Sequence, residues 1–195
     1  MRFRHFKCPA VSVMINSNKG SPPAAATGEK KVEAMEMTKS AKIAIGRMLE
    51  GRAAVVTGST SGIGLAIAEQ LAAHGARIVL NGLGDPKENE RTRARIADEH
   101  GVAAIFSDAD LSKGEAVARM MTNAAEVFGG VDILVNNAGI QYVAPVDEFP
   151  VEKWDAILAL NLSCAFHAIR AALPGMKARG WGRITRMVAA SSPMA

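Results

Sequence analysis

Residues 57–64 read Thr57-Gly58-Ser59-Thr60-Ser61-Gly62-Ile63-Gly64, a glycine-rich segment between a short apolar run (52–57) and a helical pattern (63–74). An apolar run that ends at a glycine is typical of a strand buried on both faces. The three glycines suit a tight turn, close approach of the backbone to a pyrophosphate, and close packing of the helix on the sheet. The start of the helix also offers unpaired N–H groups to phosphates. The segment therefore predicts a dinucleotide-binding strand–turn–helix unit, and its context disfavours the alternative of a flexible Gly/Ser loop.

The same alternation of strand and helix patterns continues along the chain. Further apolar runs predict strands over 76–80, 102–106, 131–135 and 183–188, and other stretches predict helices over 88–100, 112–128 and 151–177. Strands that alternate with helices of this length form a parallel sheet covered on both faces. We therefore predict an α/β fold with a three-layer, doubly wound parallel sheet (Rossmann). Because such a sheet usually has six strands and five are predicted, we expect it to be incomplete at its C-terminal half.

Composition divides the chain into two parts. Residues 1–47 include a Pro/Ala/Gly stretch (20–28) and no pattern with an obvious core to join, so we predict a disordered N-terminal extension. Residues 48–195 are predicted to form the Rossmann domain that binds the dinucleotide. The extension begins with a basic stretch and a weak apolar run that loosely resemble an export signal, but no small-residue cleavage site follows.

Composition and charge also argue against several classes of protein. The 195-residue chain has a formal net charge of +4 with no basic stripe that contains aromatic residues, so we expect no nucleic-acid partner. Its two cysteines, Cys8 and Cys164, are far apart, which fits a reducing cytoplasm. No run of eighteen apolar residues occurs, so we expect no membrane span. Cys164 and His167 could share a helix face, but no further ligand has suitable spacing, and we predict no metal site.

Four motifs occur in a fixed order along the predicted domain. The segment Thr57–Gly64 is followed by Asp110-Leu111, by Asn136-Asn137-Ala138-Gly139 and by Asn161. Together they resemble the short-chain dehydrogenase/reductase family over about residues 48–184. The resemblance implies that all eight residues of 57–64, together with Asp110, Leu111, Asn137, Ala138 and Gly139, bind a nicotinamide cofactor. It also implies that Asn161 is a catalytic residue with a structural and proton-relay role.

Longer runs sharpen the resemblance within that family. Asn136-Asn-Ala-Gly-Ile-Gln141 and residues 152–163 are similar to the bacterial dehydrogenases that interconvert D-3-hydroxybutyrate and acetoacetate. This similarity implies a small hydroxy-acid or keto-acid substrate whose carboxylate is held by Gln141. A solvated loop residue is the alternative interpretation of Gln141. The similarity further implies that the intact enzyme is a homo-oligomer, with the long helix (151–177) in a subunit interface.

The cofactor is predicted to be NAD. A carboxylate about twenty residues past the glycine loop usually marks NAD, through its ribose hydroxyls. Asp85 has that spacing but lies beyond the end of the predicted strand. NADP would need a basic residue near its 2′-phosphate, and none occurs between Gly58 and Gly64 or between Asn81 and Asp85. The family resemblance implies NAD as well.

The chain lacks the Tyr-x-x-x-Lys pair on which the family's chemistry rests. Its single tyrosine, Tyr142, has Val146 four residues later, and alignment of the flanking motifs puts Ala189 in the position of the family's catalytic serine. Free tyrosine titrates near pH ~10, so it needs the lysine to act as a base at neutral pH. Two interpretations stay open: an NAD-dependent dehydrogenase, or a catalytically inactive nucleotide-binding fragment.

Both ends of the chain depart from the family pattern. The pattern is lost after Ile184, and Met48-Leu-Glu-Gly resembles a family start. We hypothesise that the chain is a C-terminally truncated or frame-shifted version of a longer enzyme, and that residues 1–47 are upstream sequence read as protein. An intact reading frame that ends at Ala195 in the source gene would contradict the frameshift.

Overall fold

The structure, a computed structural model, describes residues 47–187 of the chain. The predicted N-terminal extension (1–47) therefore lies outside the described residues except for Arg47. The end of the fifth predicted strand, beyond residue 187, lies outside them as well. All statements about the fold below concern residues 47–187.

Strands and helices alternate through this range. The strands are β1 (Ala53–Val56), β2 (Arg77–Asn81), β3 (Ala104–Ser107), β4 (Ile133–Asn136) and β5 (Arg183–Arg186). The helices are α1 (Gly62–Ala73), α2 (Pro86–His100), α3 (Gly114–Phe128), α4 (Val151–Leu158) and α5 (Cys164–Ala178), and a π-helical turn (Ala159–Ser163) joins α4 to α5. Every predicted element is present, although the ends of most are displaced by one or two residues.

Local hydrogen bonds explain two of the displaced helix ends. Helix α2 begins before the predicted start because the Asp85 carboxylate caps it, accepting a hydrogen bond from the Lys87 amide at 2.7 Å, with Pro86 in the first turn. Helix α3 begins after the predicted start because the amide and hydroxyl of Ser112 both donate to the Asp110 carboxylate, at 3.0 and 2.7 Å. That arrangement forms a turn instead of helix. Asp85, which has the spacing of a ribose ligand in the sequence, is therefore a helix cap.

The five strands form one parallel sheet in the order β3-β2-β1-β4-β5. The chain runs outward from β1 to β3 and then crosses back to β4, so the direction of winding reverses between β1 and β4. This is the doubly wound arrangement, and its order is that of the first five strands of the six-stranded sheet. The predicted fold class is confirmed.

The core lies on both faces of the sheet, as the continuous apolar strands predict. All four residues of β1 are fully buried. Val55 and Leu134 pack on one face in a cluster that includes the inner sides of α3 and α5. Val56 and Val135 pack on the other face with α1 and α2. The helices thus form two outer layers, which fixes the carboxyl ends of the strands along one open edge.

One long helical stretch (Val151–Ala178) comprises α4, the π-helical turn and α5. Its 28 residues are long and apolar enough to cross a membrane by length and composition alone. Polar residues such as Asn161 and His167 interrupt its apolar runs, so the criterion of eighteen consecutive apolar residues does not detect it. Cys164, Ala168 and Ala172 on its inner side pack in the core against α3. Core helices of other proteins meet the same criterion, so this helix is weak support for a membrane segment.

A buried carboxylate holds the opposite, amino edge of the sheet. Asp132 precedes β4, is 6% exposed, and accepts a hydrogen bond from the Ala53 amide at 3.0 Å. Its carboxylate also lies 3.6 Å from the Arg52 guanidinium and 3.4 Å from that of Arg179. Arg52 in turn stacks on the Trp181 ring, 3.9 Å from its centre. One negative charge therefore joins β1, β4 and the end of α5.

We expect Asp132→Ala to lower the free energy of unfolding by about 3 kcal/mol, because the substitution removes the carboxylate that pairs with two arginines and leaves the buried Ala53 N–H group without its acceptor. The expected loss of stability is at the low end of the range for breaking a buried ion pair, because the two arginine side chains are about one-third exposed, at 37% and 34%. Urea unfolding followed by circular dichroism measures the loss. Glu115→Ala is the control, since that side chain is 94% exposed and 3.8 Å from Arg119, its one ion-pair partner within residues 47–187. Equal losses in the two variants would contradict the role of Asp132.

Candidate functional site

A cleft of about 310 Å³ opens at the carboxyl edge of the sheet, where the winding reverses between β1 and β4. Doubly wound sheets bind their ligands at this position. The cleft is lined by the loops that follow β1 to β4 and by the π-helical turn: Gly58, Asn81, Gly82, Leu83, Ala109, Asp110, Leu111, Asn137, Ala138, Gly139, Ile140 and Leu160. Six predicted cofactor-binding residues are in this lining: Gly58, Asp110, Leu111, Asn137, Ala138 and Gly139.

Close contacts explain two of the glycines in the loop after β1. Gly58 has φ of +61°, and a Cβ there would lie 3.0 Å from the Ala138 Cα. A Cβ at Gly64 would lie 2.2 Å from the Gly58 oxygen and 2.4 Å from the Asn137 Nδ2. Helix α1 therefore packs directly on the turn, and the turn packs on the loop after β4. Gly62, with φ of +57°, has open space where a Cβ would be.

The start of α1 has no compensating group among the described residues. Its N-cap, Ser61, makes no side-chain cap hydrogen bond, and its first turn contains no acidic residue. The unpaired N–H groups and the positive end of the helix dipole are therefore available to an anion. The Thr60 side chain packs on the next loop, where a Cβ at Gly82 would lie 2.3 Å from its Oγ1. Ile63 is 67% exposed and lines a separate apolar groove instead of the cleft.

The side chains of Thr57 and Ser59 are buried beneath the cleft. The Thr57 hydroxyl oxygen accepts hydrogen bonds from the amides of Asn137 and Ala138, both at 3.0 Å. The Ser59 hydroxyl donates to the Val56 carbonyl at 2.7 Å and accepts from the Asn81 amide at 3.0 Å. Both hydroxyls are thus engaged within the fold, and they shape the floor of the cleft.

Asn81, which the sequence analysis did not assign to the site, connects three of its loops. Its Oδ1 accepts a hydrogen bond from the Gly58 amide at 3.2 Å. Its Nδ2 donates to the carbonyls of Ser107 and Ala109, at 3.2 and 3.1 Å. The available signal was a polar residue directly after a buried apolar strand, since a buried amide requires hydrogen-bond partners.

Asn137 joins the loop after β4 to the glycine loop. Its Nδ2 donates to the carbonyl oxygens of Thr57 and Gly58, both at 3.0 Å. With the two hydrogen bonds that Thr57 accepts, the two loops form one rigid unit. Asn137 is therefore a positioning residue as well as a lining residue of the cleft.

Asp110 is the acidic residue of the cleft, at its β3 side. Hydrogen bonds from Ser112, followed by the contribution of Lys113 at 3.2 Å, lower the pKa of Asp110. The carboxylate is therefore ionised at neutral pH and can accept a hydrogen bond from an exocyclic amine. Leu111, the next residue, is buried and adds apolar surface to the same side of the cleft.

Asn161 lies in the π-helical turn and holds the segment at the opposite end of the cleft. Its Oδ1 accepts from the Ile140 amide and its Nδ2 donates to the Ile140 carbonyl, both at 2.9 Å. A Cβ at Gly139 would lie 3.0 Å from the same Oδ1. The Asn161 carbonyl accepts a hydrogen bond from the Arg186 guanidinium. The structure thus gives Asn161 a structural contact with two lining residues.

Gln141 and Tyr142 follow Ile140 but are exposed and are not among the lining residues of the cleft. The Tyr142 ring lies edge-on to Phe149 with the ring centres 5.3 Å apart, and the Lys153 Nζ lies 5.9 Å from the Tyr142 ring centre. Gln141 therefore lies two residues beyond Gly139, at the surface and outside the lining of the cleft.

Cys164 and His167, considered as a possible metal-binding pair, both pack against other residues of the fold. Burial raises the pKa of the Cys164 thiol to about 11, so the thiol is protonated at neutral pH. The His167 ring packs on Gly114, where a Cβ would lie 2.5 Å from its Nε2. Within residues 47–187, no group of three or more His, Cys, Asp or Glu side chains could hold a metal ion.

The cleft can therefore bind an anionic, two-ended ligand. It has an ionised carboxylate at one end and an ordered backbone turn at the other, and the loop that contains Gly58 leads from its lining to the open start of α1. Asp110 is the one titratable side chain in the lining of the described cleft. Because hydrogen bonds hold Asp110 ionised at the β3 side, it is a ligand for polar hydrogens more than a proton shuttle.

Comparison with known proteins agrees with this geometry. The sequence profile of the short chain dehydrogenase family matches residues 52–194. The sequence analysis placed the end of the resemblance at residue 184, and that limit is wrong, because the family match continues to 194.

Two curated relatives carry the same name. The chain is 55% identical over 138 residues to the D-beta-hydroxybutyrate dehydrogenase of Cupriavidus necator, covering 70% of this chain and 52% of that protein. It is 52% identical to the enzyme of that name from Rhizobium meliloti, covering 71% of this chain and 54% of that protein. The chain thus spans about half the length of the curated relatives it matches.

A solved structure shares the fold. A metagenomic short-chain oxidoreductase in complex with NADP superimposes with a TM-score of 0.69 at 36% sequence identity, covering 75% of this chain and 67% of that chain. The family match, the sheet order and the glycine loop agree, and this chain belongs to the short chain dehydrogenase family of oxidoreductases.

Proposed function

We propose that this protein binds NAD in the cleft and acts in the oxidation of D-3-hydroxybutyrate to acetoacetate. The observation that carries the proposal is the packing of the glycine loop on the Asn137–Gly139 turn beside an open start of α1. In the oxidation, the carbon that bears the hydroxyl loses a hydride to the nicotinamide, and the hydroxyl loses its proton to a base. The binding of the cofactor is the part that the described residues support most directly.

In this proposal, some of the cofactor-binding residues contact the cofactor, and the others shape the loops that carry those residues. The start of α1, with Ser61 and Gly62, holds the pyrophosphate, and Thr60, Ile63 and Gly64 shape that turn. Asp110 and Leu111 hold the adenine. The backbone of Asn137, Ala138 and Gly139 holds the nicotinamide end, and Thr57, Gly58 and Ser59 form the floor.

NAD is preferred to NADP in this proposal because the end of β2 is neutral. Asn81, Gly82 and Leu83 line the cleft there, and no residue in the described lining is basic. A 2′-phosphate would need an arginine or lysine at this position. Asp85, which caps α2, is engaged with the Lys87 amide.

The substrate proposal rests on similarity to the two curated dehydrogenases. A small hydroxy-acid or keto-acid substrate would lie beside the nicotinamide, with Asn161 at the end of the cleft and Gln141 proposed as a ligand of the carboxylate. We also propose homo-oligomers and a cytoplasmic location. Exposed apolar side chains along α4, the π-helical turn and α5, namely Trp154, Leu162 and Phe166, support a subunit contact.

A second function is favoured by one sequence observation. The only tyrosine of this chain, Tyr142, has Val146 where the family's lysine would stand. The 195-residue chain by itself then binds the nucleotide without turnover, because no tyrosine of lowered pKa takes the hydroxyl proton.

Calorimetric titration of the purified chain with NAD⁺, with turnover of D-3-hydroxybutyrate followed in the same sample, tests the proposal. We expect NAD⁺ binding; reduction of NAD⁺ by D-3-hydroxybutyrate would support the first function, and binding without reduction would support the second. Turnover would contradict the argument from the missing tyrosine and lysine. Absence of NAD⁺ binding in a sample shown to be folded by circular dichroism would contradict the proposed cleft.

Gly64→Ala should weaken NAD⁺ affinity by roughly a hundredfold or more, because the added Cβ meets a backbone oxygen at 2.2 Å and displaces the glycine loop. The control is Gly129→Ala, at the end of α3, where φ is positive (+75°), unlike at Gly64, and no atom lies within 4 Å of the new Cβ. That variant should lose some stability but keep its NAD⁺ affinity. Calorimetry compares the two, and a similar loss of affinity in both would refute the close contact as the cause.

Leu83→Arg should shift the affinity ratio of NADP⁺ to NAD⁺ upward by roughly tenfold, since one charge-assisted hydrogen bond to the 2′-phosphate contributes about 1.4 kcal/mol. Leu83 is 71% exposed at the end of β2, so an arginine fits there without disturbing the core. Leu83→Gln, which adds length without charge, should leave the ratio unchanged. Equal ratios in the arginine and glutamine variants would show that the adenosine ribose lies elsewhere.

A further inference from the structure

The π-helical turn at residues 159–163 presents a backbone carbonyl to a cationic side chain. Such turns are rare and occur frequently at functional sites. Here the Asn161 carbonyl accepts a hydrogen bond from the Arg186 guanidinium. Arg186 is the last residue of β5, so its side chain leaves the sheet at the carboxyl edge, the same edge as the cleft.

The strand order determines where Arg186 lies along the carboxyl edge of the sheet. Leu83 and Asp110 follow β2 and β3, which lie on one side of β1, whereas Ile140 follows β4 on the other side. Asn161 is bonded to Ile140 through both atoms of its amide and follows Leu160, another lining residue. Arg186 therefore stands beyond the β4 end of the cleft, one residue removed from its lining.

The Arg186 guanidinium is not part of any ion pair among the described residues. A carbonyl accepts a hydrogen bond without neutralising the guanidinium, and no carboxylate among the described residues lies within 4 Å of Arg186. The sequence after Asp155 contains no aspartate or glutamate and five basic residues: Arg170, Lys177, Arg179, Arg183 and Arg186. Of these, Arg179 is paired with Asp132 at the other edge of the sheet. No carboxylate of the described residues therefore competes with a bound anion for the Arg186 guanidinium.

We propose that Arg186 binds the carboxylate of the small organic acid that occupies the cleft. The inference rests on the proposed function and adds a specific ligand for the substrate. A guanidinium has five donors in a fixed fork, so one N–H group can hold the Asn161 carbonyl while others face a carboxylate. The Asn161 carbonyl then acts as a positioning group that fixes the direction of the Arg186 side chain.

The binding of acetoacetate to the full chain tests the proposal, with its neutral methyl ester as the matched ligand. Arg186→Gln should weaken acetoacetate affinity roughly tenfold or more, since a charge-assisted contact is lost, and should leave the affinity for the ester unchanged. Arg186→Lys keeps the charge and a donor to Asn161 but loses the fork, so its affinity should be intermediate.

Arg183→Gln is the control on the same strand. Arg183 is exposed at the opposite end of β5 and stacks on the Trp181 ring, 5.0 Å from its centre, so its loss removes an equal charge at the other edge. Affinities are measured by calorimetry with and without NAD⁺, on samples checked by circular dichroism. We expect this control to bind acetoacetate as the unaltered chain does.

Three results would overturn the proposal. The first is an unchanged affinity of Arg186→Gln for acetoacetate. The second is an equal loss of affinity for acetoacetate and for its methyl ester in that variant, which indicates a purely structural role through Asn161. The third is no acetoacetate binding by an unaltered chain that binds NAD⁺. Acetoacetate binding that depends on Arg186 in a chain that does not bind NAD⁺ would support this inference and contradict the proposed cofactor site. The two proposals therefore fail separately.

Discussion

Four hydrogen bonds between the loop after β1 and the loop after β4 hold the carboxyl edge of this protein together. Asn137 and Ala138 donate their amides to the Thr57 hydroxyl, and the Asn137 side chain donates to the carbonyls of Thr57 and Gly58. Helix α1 approaches these bonds so closely that a Cβ at Gly64 would lie 2.2 Å from the Gly58 oxygen and 2.4 Å from the Asn137 Nδ2. Because the bonds hold the floor of the cleft without a ligand, the two loops lose less conformational entropy when a ligand binds.

The fold could be predicted because its signals are local. Buried parallel strands are continuous apolar runs, and the glycine spacing at 57–64 fixes the turn between one strand and its helix. The helix ends were less predictable, since the Asp85 cap and the Asp110–Ser112 turn depend on which side chain a local backbone amide meets. The π-helical turn was not predicted at all. The pattern of apolar residues in 151–177 is that of a continuous helix, and the bonds of Asn161 to a distant loop become evident only in three dimensions.

The residues of the candidate site could be predicted from the sequence, but the arrangement of their atoms could not. The motifs bring Gly58, Asp110 and Asn137 to one cleft, as the resemblance implied. They do not show that the Ser59 hydroxyl is buried, or that the Asn81 amide joins three loops. Asn81 belongs to no motif because its role arises from long-range hydrogen bonds. A buried polar residue at the end of an apolar strand is nonetheless a signal that can be sought in other sequences.

The two edges of the sheet differ in how their charges are balanced, and this difference distinguishes the edge that stabilises the fold from the edge that can attract a ligand. At the amino edge, Asp132 balances Arg52 and Arg179, so the charges there serve stability. At the carboxyl edge, the open start of α1 and the guanidinium of Arg186 have no acidic partner among the described residues, so both attract anions. A dinucleotide phosphate and an organic acid are both anions, and such an edge can hold them side by side. Hydride transfer requires in addition a group that takes a proton, and Asp110, held ionised by Ser112 at the far end of the cleft, is poorly placed for it. The edge built by the first five strands therefore offers positions for both anions of the proposed function, and proton transfer would need a group other than those in its described lining.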